Sequence, residues 1–256
     1  ANLYHIAVSE YRTLLEIVAE NAAKDTLVIP SVGPAYGTML DQAAILRDFD
    51  FPTAMVLPTR DIVTHVGQQS AIADVVRVLD RPIVLYLKHD GVTSVRTVER
   101  LVKDGMVAAI KYAVVRDKPT QDDYLQAIVD AVGPHRIISG IGEQPAIIHL
   151  RDFGLAGFTS GCVCVAPALS MRMLRAIQDQ DFTNAESIRS VFRPLEDLRN
   201  QISPIRVLHA AVGLAGIAET GPLQPMLDVI TDASQLDGIR LAAQFLLEQN
   251  ADVVSA

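Results

Sequence analysis

Short apolar segments rich in β-branched residues recur along the first part of the chain. Most are continuous apolar runs rather than alternations of apolar and polar residues, which is typical of parallel strands buried on both faces. Their starting points lie mostly 20 to 30 residues apart. The pattern predicts six strands, at residues 26–32, 53–57, 82–87, 107–112, 136–139 and 156–160.

Amphipathic segments with helical spacing separate these strands. Ser9 opens the first of them, and Ser94 is placed to cap a second. Thr120 is placed to cap a third, with Asp123 at the capping-box position. Strands that alternate with helices in this way form a parallel sheet or a barrel.

The pattern changes after residue 165, where helical periods continue without a strand between them. We predict four helices there, at residues 168–178, 183–199, 203–217 and 234–248. The chain is therefore expected to divide into a catalytic (β/α) barrel at residues 1–167 and a helical region at residues 168–256 that packs on the barrel.

The length of 256 residues is close to the roughly 250 that are typical of one TIM (β/α)8 barrel. A closed barrel has eight strands, whereas the sequence predicts six. Because the chain starts in a loop before a helix, we expect the N-terminal βαβ portion of the natural protein to be absent from this sequence. The expected fold class is an α/β TIM barrel with a C-terminal helical extension.

Composition and charge exclude several classes of partner. The formal net charge is −8 and no run rich in lysine and arginine is present, which argues against a nucleic-acid ligand. The apolar runs are too short for a membrane span, and the N-terminal residues do not form a signal peptide. Hydrophobic residues make up 50% of the chain, enough for a large core.

The two cysteines, Cys162 and Cys164, are two residues apart on a segment that is expected to be extended at a strand end, a spacing that does not suit disulfide geometry. A disulfide between them is therefore not expected, and two unpaired thiols fit a reducing, cytoplasmic environment. No set of four ligands for a structural zinc ion accompanies them, so we expect no metal.

Lys111 stands at the end of the apolar segment 106–110. Lysine is depleted from buried strands because burial of its charge is costly. At the C-terminal end of a barrel strand a polar side chain faces the active site, and burial there lowers the pKa of the amine. A neutral amine can attack a carbonyl carbon and form an imine. The alternative is a lysine whose stem packs while its head reaches solvent.

Tyr86 lies near the end of the preceding strand, so its hydroxyl could transfer a proton beside an imine at Lys111. The alternative is a core tyrosine whose hydroxyl has a local partner.

Several segments together resemble the dihydrodipicolinate synthase / N-acetylneuraminate lyase family of Schiff-base aldolases. Lys111, which follows Ile110, resembles the Schiff-base lysine of that family, and Tyr86 resembles its proton-shuttling tyrosine. Further similar segments are residues 138–140 (Ile-Ser-Gly), 157–167 (a glycine-rich segment that ends in Ala-Pro) and 203–207 with Pro222 and Leu223. The resemblance covers nearly the whole chain.

The chain also departs from the family pattern. The hydroxyl-rich turn that holds the substrate carboxylate would lie upstream or at Ala1–Asn2. Residues 57–61 read Leu-Pro-Thr-Arg-Asp, so the second tyrosine of the family is absent. Residues 88–91 lack the arginine that grips the second substrate of the synthase, which argues against lysine biosynthesis. This loop is closer to that of the ketodeoxyglucarate dehydratases, although Leu87 replaces their asparagine.

Six further residues are candidates for substrate binding. Lys88 could contact a substrate carboxylate and His89 could act as an acid or base, although an exposed loop position is the more frequent explanation for residues of this kind. Residues 140–143, which begin with Gly140, are predicted to open a helix whose backbone N–H groups could bind an anion, although the glycines could also merely turn the chain. The complete set is Lys88, His89, Ser139, Gly140, Thr159 and Ser160.

Two classes of function fit these residues. The first is a Schiff-base lyase, an aldolase or a dehydratase, that acts on a 2-oxo acid such as pyruvate or a keto-deoxy sugar acid. The second is a non-catalytic relative that keeps the barrel as a binding module. In the first case no cofactor is needed, because the imine is itself the electron sink. We also expect a homo-oligomer, either a dimer or a tetramer.

Overall fold

The computed structural model describes residues 2–60 and 62–255. Over these residues six strands form one sheet in chain order, and the first four pair in parallel. All six lie inside the predicted segments, although most are shorter. They are β1 (Ser31–Val32), β2 (Met55–Val56), β3 (Ile83–Leu87), β4 (Val107–Tyr112), β5 (Ile137–Ser139) and β6 (Gly157–Phe158).

Helices follow or precede every strand, and four of them continue after β6. They are α1 (Val8–Asn21), α2 (Tyr36–Leu46), α3 (His65–Leu79), α4 (Val95–Lys103), α5 (Asp123–Val132), α6 (Ala146–Asp152), α7 (Pro167–Gln178), α8 (Phe182–Gln201), α9 (Pro204–Leu214) and α10 (Ala233–Ser255). The four predicted C-terminal helices correspond to α7–α10.

The predicted helix starts are confirmed in part. Ser94 caps α4, where its Oγ accepts a hydrogen bond from the backbone N of Thr97 at 3.1 Å. The prediction of Thr120 as a cap was wrong. Asp122 caps α5 instead, because its buried carboxylate accepts from the backbone N of Leu125 at 3.0 Å. Helix α1 begins at Val8, one residue before the predicted Ser9.

The chain divides into two compact units, one formed by Leu3–Ile138 and one that begins at Ser139. In the first unit, β1–β4 contribute buried aliphatic side chains such as Val32, Ile83 and Ile110. In the second, α7–α10 surround buried Met173, Phe192 and other apolar side chains. The boundary near residue 167 between a catalytic barrel and a helical region stays a prediction.

Among the described residues, no helix is both long enough and apolar enough to cross a membrane. Two residues that entered the sequence predictions, Ala1 and Asp61, lie outside the described residues.

Candidate active site

The register of β3 and β4 places Tyr86 directly opposite Lys111. Paired residues on neighbouring parallel strands project to the same face of the sheet, so the two side chains meet. The Nζ atom of Lys111 lies 4.6 Å from the centroid of the Tyr86 ring. The two predicted catalytic side chains are therefore neighbours.

Lys111 is half-buried between Ile110 and Tyr112, whose side chains are fully buried on the opposite face of β4. Burial lowers the pKa of the Lys111 amine, and the nearby positive charge of Lys88 lowers it further. Burial raises the pKa of the Tyr86 hydroxyl, and Tyr4 adds to this effect. The site thus favours a neutral amine beside a protonated phenol, which is the pairing that imine formation requires.

Lys88 and His89 follow β3 directly, and Lys88 is exposed whereas His89 is half-buried. Both line a small recess that they share with Tyr86, Thr59 and Gln68. Its volume of about 10 Å³ is close to the room that a single water molecule needs. The structure therefore brings four of the predicted site residues together, namely Lys88 and His89 with Tyr86 and Lys111.

A much larger cavity, of about 590 Å³, is also lined in part by Tyr86. Sequence reasoning missed this cavity, because its walls come from segments that are distant in the chain. Three stretches of the chain form them. The first is the turn before α2 with the start of α2, the second runs from β2 through the following loop into the first half of α3, and the third is Leu85 and Tyr86 of β3. The apolar Ile62 and Val63 in a connecting loop are the signal that could have indicated it.

An ionic network joins the loops after β3 and β4, and it too was missed. Arg116 donates through Nη1 to Asp90 at 2.8 Å and through Nη2 to Asp122 at 3.0 Å. The carboxylate of Asp122 also accepts from the hydroxyl of Tyr112 at 2.7 Å. Because Asp90 lies two residues beyond Lys88, this network tethers the loop that carries Lys88 and His89.

The remaining predicted site residues lie at the start of the second unit. Ser139 is fully buried, and its Oγ lies 2.8 Å from Nδ1 of His149. The backbone N of Thr159 donates to the carbonyl of Ser139 at 2.7 Å, while the Thr159 side chain is exposed. Half-buried Gly140 follows Ser139 directly. The hydroxyl of Ser160 donates to Glu143 at 2.7 Å. Their role in substrate binding stays a prediction.

The predicted helix start at residues 140–143 was wrong, because α6 begins only at Ala146. Gly142 has a φ of +115°, and a Cβ at this position would lie 2.3 Å from Oε1 of Glu196. The glycine thus permits a close approach of the Glu196 carboxylate to the backbone, which explains why this segment turns instead of continuing as a helix.

Glu143 and Glu196 form a buried carboxylate pair inside the second unit, with both side chains fully buried. Glu143 accepts from Ser160 and Ser170, and its backbone N donates to Oε1 of Glu196 at 3.2 Å. Arg199 lies 3.9 Å from the same oxygen. Burial raises the pKa of both carboxyl groups, and the proximity of Glu143 helps to raise that of Glu196 to about 8.

Cys162 and Cys164 are free, the first buried and the second exposed. The prediction of an extended segment was wrong here, since Cys162–Cys164 form a single 3-10 turn. Within the described part of the chain, no group of three or more histidine, cysteine, aspartate or glutamate side chains is arranged to hold a metal ion.

The chain is similar to known proteins in sequence and in fold. The sequence profile of the Dihydrodipicolinate synthetase family matches residues 4–240. The chain belongs to this family. A 4-hydroxy-tetrahydrodipicolinate synthase from Thermomicrobium roseum is 28% identical over 233 residues, which cover 85% of this chain and 73% of that protein. The resemblance inferred from Lys111 and Tyr86 is thus confirmed at the level of the family.

Two solved structures from the same group share the fold. The chloride-inhibited dihydrodipicolinate synthase from Acinetobacter baumannii, complexed with pyruvate, matches with a TM-score of 0.80 at 18% sequence identity. The match covers 94% of this chain and 82% of the synthase chain. The N-acetylneuraminate lyase from Fusobacterium nucleatum has a TM-score of 0.78 at 14% identity, with coverages of 94% and 82%. The predicted fold class, an α/β TIM barrel with C-terminal helices, is confirmed.

Proposed function

We propose that this member of the dihydrodipicolinate synthetase family is a lyase that forms a Schiff base between Lys111 and a 2-oxo acid. The observation that carries the proposal is the position of the Lys111 amine, 4.6 Å above the ring of Tyr86 at the paired ends of β3 and β4. Membership of the family supports it, as does the pyruvate complex of a structural relative.

In the proposed reaction the neutral Nζ of Lys111 attacks the C-2 carbonyl carbon, and a proton moves from nitrogen to oxygen to give a carbinolamine. Tyr86 then donates a proton to the hydroxyl group, which leaves as water, and the C–N double bond forms as a protonated imine. Tyr86 regains its proton from solvent. The lowered pKa of Lys111 increases the fraction of neutral amine, and the raised pKa of Tyr86 keeps the phenol protonated.

The protonated imine is the electron sink for the lyase step. When the bond between C-3 and C-4 breaks, a base takes the proton of the C-4 hydroxyl and C-4 becomes the carbonyl carbon of the released aldehyde. The electron pair of the broken bond moves toward the imine and leaves an enamine on Lys111. Lys88 is the candidate partner for the substrate carboxylate, since its charge lies close enough to lower the pKa of Lys111. His89, in the same recess as Tyr86, is the candidate for a second acid or base.

The test is reduction with borohydride after incubation with pyruvate and other 2-oxo acids, followed by intact mass measurement. We expect one reduced adduct per chain. An unmodified chain across the whole panel would contradict the proposal. An adduct without turnover of any substrate would instead support the second candidate, a non-catalytic relative. The observation that favours this candidate is Thr59, which stands where the family has its second tyrosine. The Thr59 hydroxyl is held by the carbonyl of Pro34 at 2.8 Å.

We further propose that the chain is not a dihydrodipicolinate synthase in the strict sense. The loop Lys88–Gly91 contains no arginine for a second substrate, and its acidic member Asp90 is already paired with Arg116. Efficient condensation of pyruvate with aspartate semialdehyde would contradict this. That the protein is homo-oligomeric and cytoplasmic stays a prediction from the sequence.

A further inference from the structure

The cavity beside Tyr86 has the size of a ligand site. Its volume is about 590 Å³, within the range of roughly 300–1,000 Å³ that is usual for small-molecule pockets. Leu85 and Tyr86 are among its lining residues, so it extends to the ring that Lys111 covers. A group attached to a substrate at Lys111 can therefore extend into it.

The wall of this cavity is largely apolar. Aliphatic and thioether side chains from α2, β2, the loop after β2 and α3 form most of it, and Met39, Leu57 and Ile72 among them are buried. Burial of apolar area against such a surface contributes about 25 cal/mol of favourable free energy per Å². The wall therefore favours an apolar ligand group.

The polar side chains in the wall are mostly engaged already. Thr59 Oγ1 donates to the carbonyl of Pro34, and Ser70 Oγ donates to the carbonyl of Val66 at 3.1 Å. Thr64 caps α3, and Asp74 accepts from Tyr36 and pairs with Arg77. A chain with many hydroxyl groups would lose its water here and find few partners in return, which is costly.

One polar group in the lining of the cavity remains available. The Oε1 atom of Gln68 is buried without a hydrogen-bond partner among the described residues. Gln68 lines both the large cavity and the small recess that holds Tyr86, Lys88 and His89. Gln68 is thus shared by the large cavity and the recess that contains the reacting groups.

We infer that the natural substrate is a 2-oxo acid whose chain ends in an apolar group, aromatic or branched aliphatic, and that this cavity binds that group. The inference rests on the proposed function, because the 2-oxo acid is placed by Lys111. It separates the two substrate classes that the sequence left open, since a keto-deoxy sugar acid has the hydroxyl-rich chain that the wall disfavours. In the cleavage direction the second product is an aldehyde that carries the apolar group.

The test uses carboxylates without a carbonyl group, which cannot form an imine. Calorimetry compares 4-phenylbutanoate, butanoate and gluconate. We expect 4-phenylbutanoate to bind at least about tenfold more tightly than butanoate, the lower end of what burial of one aromatic group contributes. We expect gluconate to bind more weakly than either. Equal binding of 4-phenylbutanoate and butanoate, or tighter binding of gluconate, would overturn the inference.

Two variants of α3 form a matched pair. Ala71 lines the cavity and Ala73 on the same helix does not, so Ala71→Phe fills the cavity and Ala73→Phe is the control. We expect Ala71→Phe to reduce the preference for 4-phenylbutanoate to below about threefold, whereas Ala73→Phe keeps it. An unchanged preference in a folded Ala71→Phe variant would contradict the inference.

A second cavity variant, Val63→Asp, places a negative charge at the lining loop without a large change in volume, and it should abolish the preference as well. Thermal unfolding shows whether each variant is folded. Borohydride trapping of pyruvate is measured separately. Trapping without a preference for the phenyl group would refute the apolar cavity alone, and the preference without trapping would refute the proposed function alone.

Discussion

Tyr86 and Lys111 share one register position on neighbouring strands, and this explains why each affects the other. The amine lies over the face of the tyrosine ring, where its charged form gains a cation–π attraction. Burial and the charge of Lys88 act in the opposite direction and determine the net result, a lowered pKa. The hydroxyl of Tyr86 remains protonated because burial raises its pKa.

Replacement of Tyr86 by phenylalanine keeps the ring that packs against Lys111 and removes only the hydroxyl. We expect kcat to fall at least about tenfold, which is below the roughly 10²–10⁴-fold typical of a lost acid–base group, because water can substitute in part. Imine trapping at Lys111 should persist at a lower rate. Wild-type turnover of a confirmed substrate by Tyr86→Phe would show that Tyr86 is only a packing residue.

Replacement of Lys88 by methionine removes the positive charge that disfavours the protonated form of Lys111. The pKa of Lys111 should therefore rise, and less neutral amine should be present at neutral pH. We expect the pH profile of pyruvate trapping to move to higher pH, and trapping near pH 7 to slow. Lys118→Met, in the exposed loop after β4, is the control. A profile that is identical in Lys88→Met and wild type would show that the two amines do not interact.

At the scale of elements, the tether between the loops after β3 and β4 positions Lys88 and His89. Arg116 has two carboxylate partners, and the Asp122 side chain is fully buried. Arg116→Met should lower the free energy of unfolding by about 2 kcal/mol, the size of a lost hydrogen bond to a charged group. It should also raise KM, because the loop that carries Lys88 and His89 is released.

The matched control is Arg100→Met, which breaks the exposed pair of Arg100 and Asp104 on α4. Exposed pairs contribute about 0–1 kcal/mol, so this variant should unfold almost like wild type. Chemical denaturation measures both variants. Equal losses in the two would contradict a special role for the Arg116 network.

The elements that the sequence predicted are those defined by their own apolar pattern. The strand at 107–112 agrees residue for residue, because buried parallel strands form continuous apolar runs. Features that depend on tertiary partners could not be predicted in this way. Thr120 and Asp122 are both acceptable caps by local chemistry, and only the contacts of Asp122 with Tyr112 and Arg116 decide between them. The apolar cavity likewise requires segments that are far apart in the chain.

For the whole molecule, the buried pair of Glu143 and Glu196 links stability to pH. The pKa of Glu196 is raised to about 8, above the value of about 4.3 for a glutamate in an unfolded chain. Between these values the folded state holds more protons than the unfolded state, so stability falls as pH rises. The contribution is complete below about pH 4 and is lost as the pH passes about 8.

Glu196→Gln keeps the oxygen that accepts from Glu143 and removes the titration. As the pH rises from 5 to 8, wild type should lose the contribution of Glu196 and the variant should not. We therefore expect the melting temperature of the variant, relative to that of wild type, to increase with pH over this range. Glu186→Gln on the same helix is the control, because the pKa of Glu186 is lowered by its hydrogen bond from Arg189. The contribution of Glu186 to stability is therefore lost only at a pH below this range. A constant difference between Glu196→Gln and wild type across this range would contradict the link between the titration of Glu196 and stability.

The site of covalent attachment tests the account most directly. The protein is incubated with pyruvate, reduced with borohydride and digested, and the modified peptide is sequenced by mass spectrometry. We predict a single modified residue, Lys111, and no adduct in Lys111→Ala, which should retain the wild-type fold by circular dichroism. An adduct at Lys88, Lys103 or Lys118, or one that persists in folded Lys111→Ala, would contradict the assignment of Lys111 as the imine-forming residue.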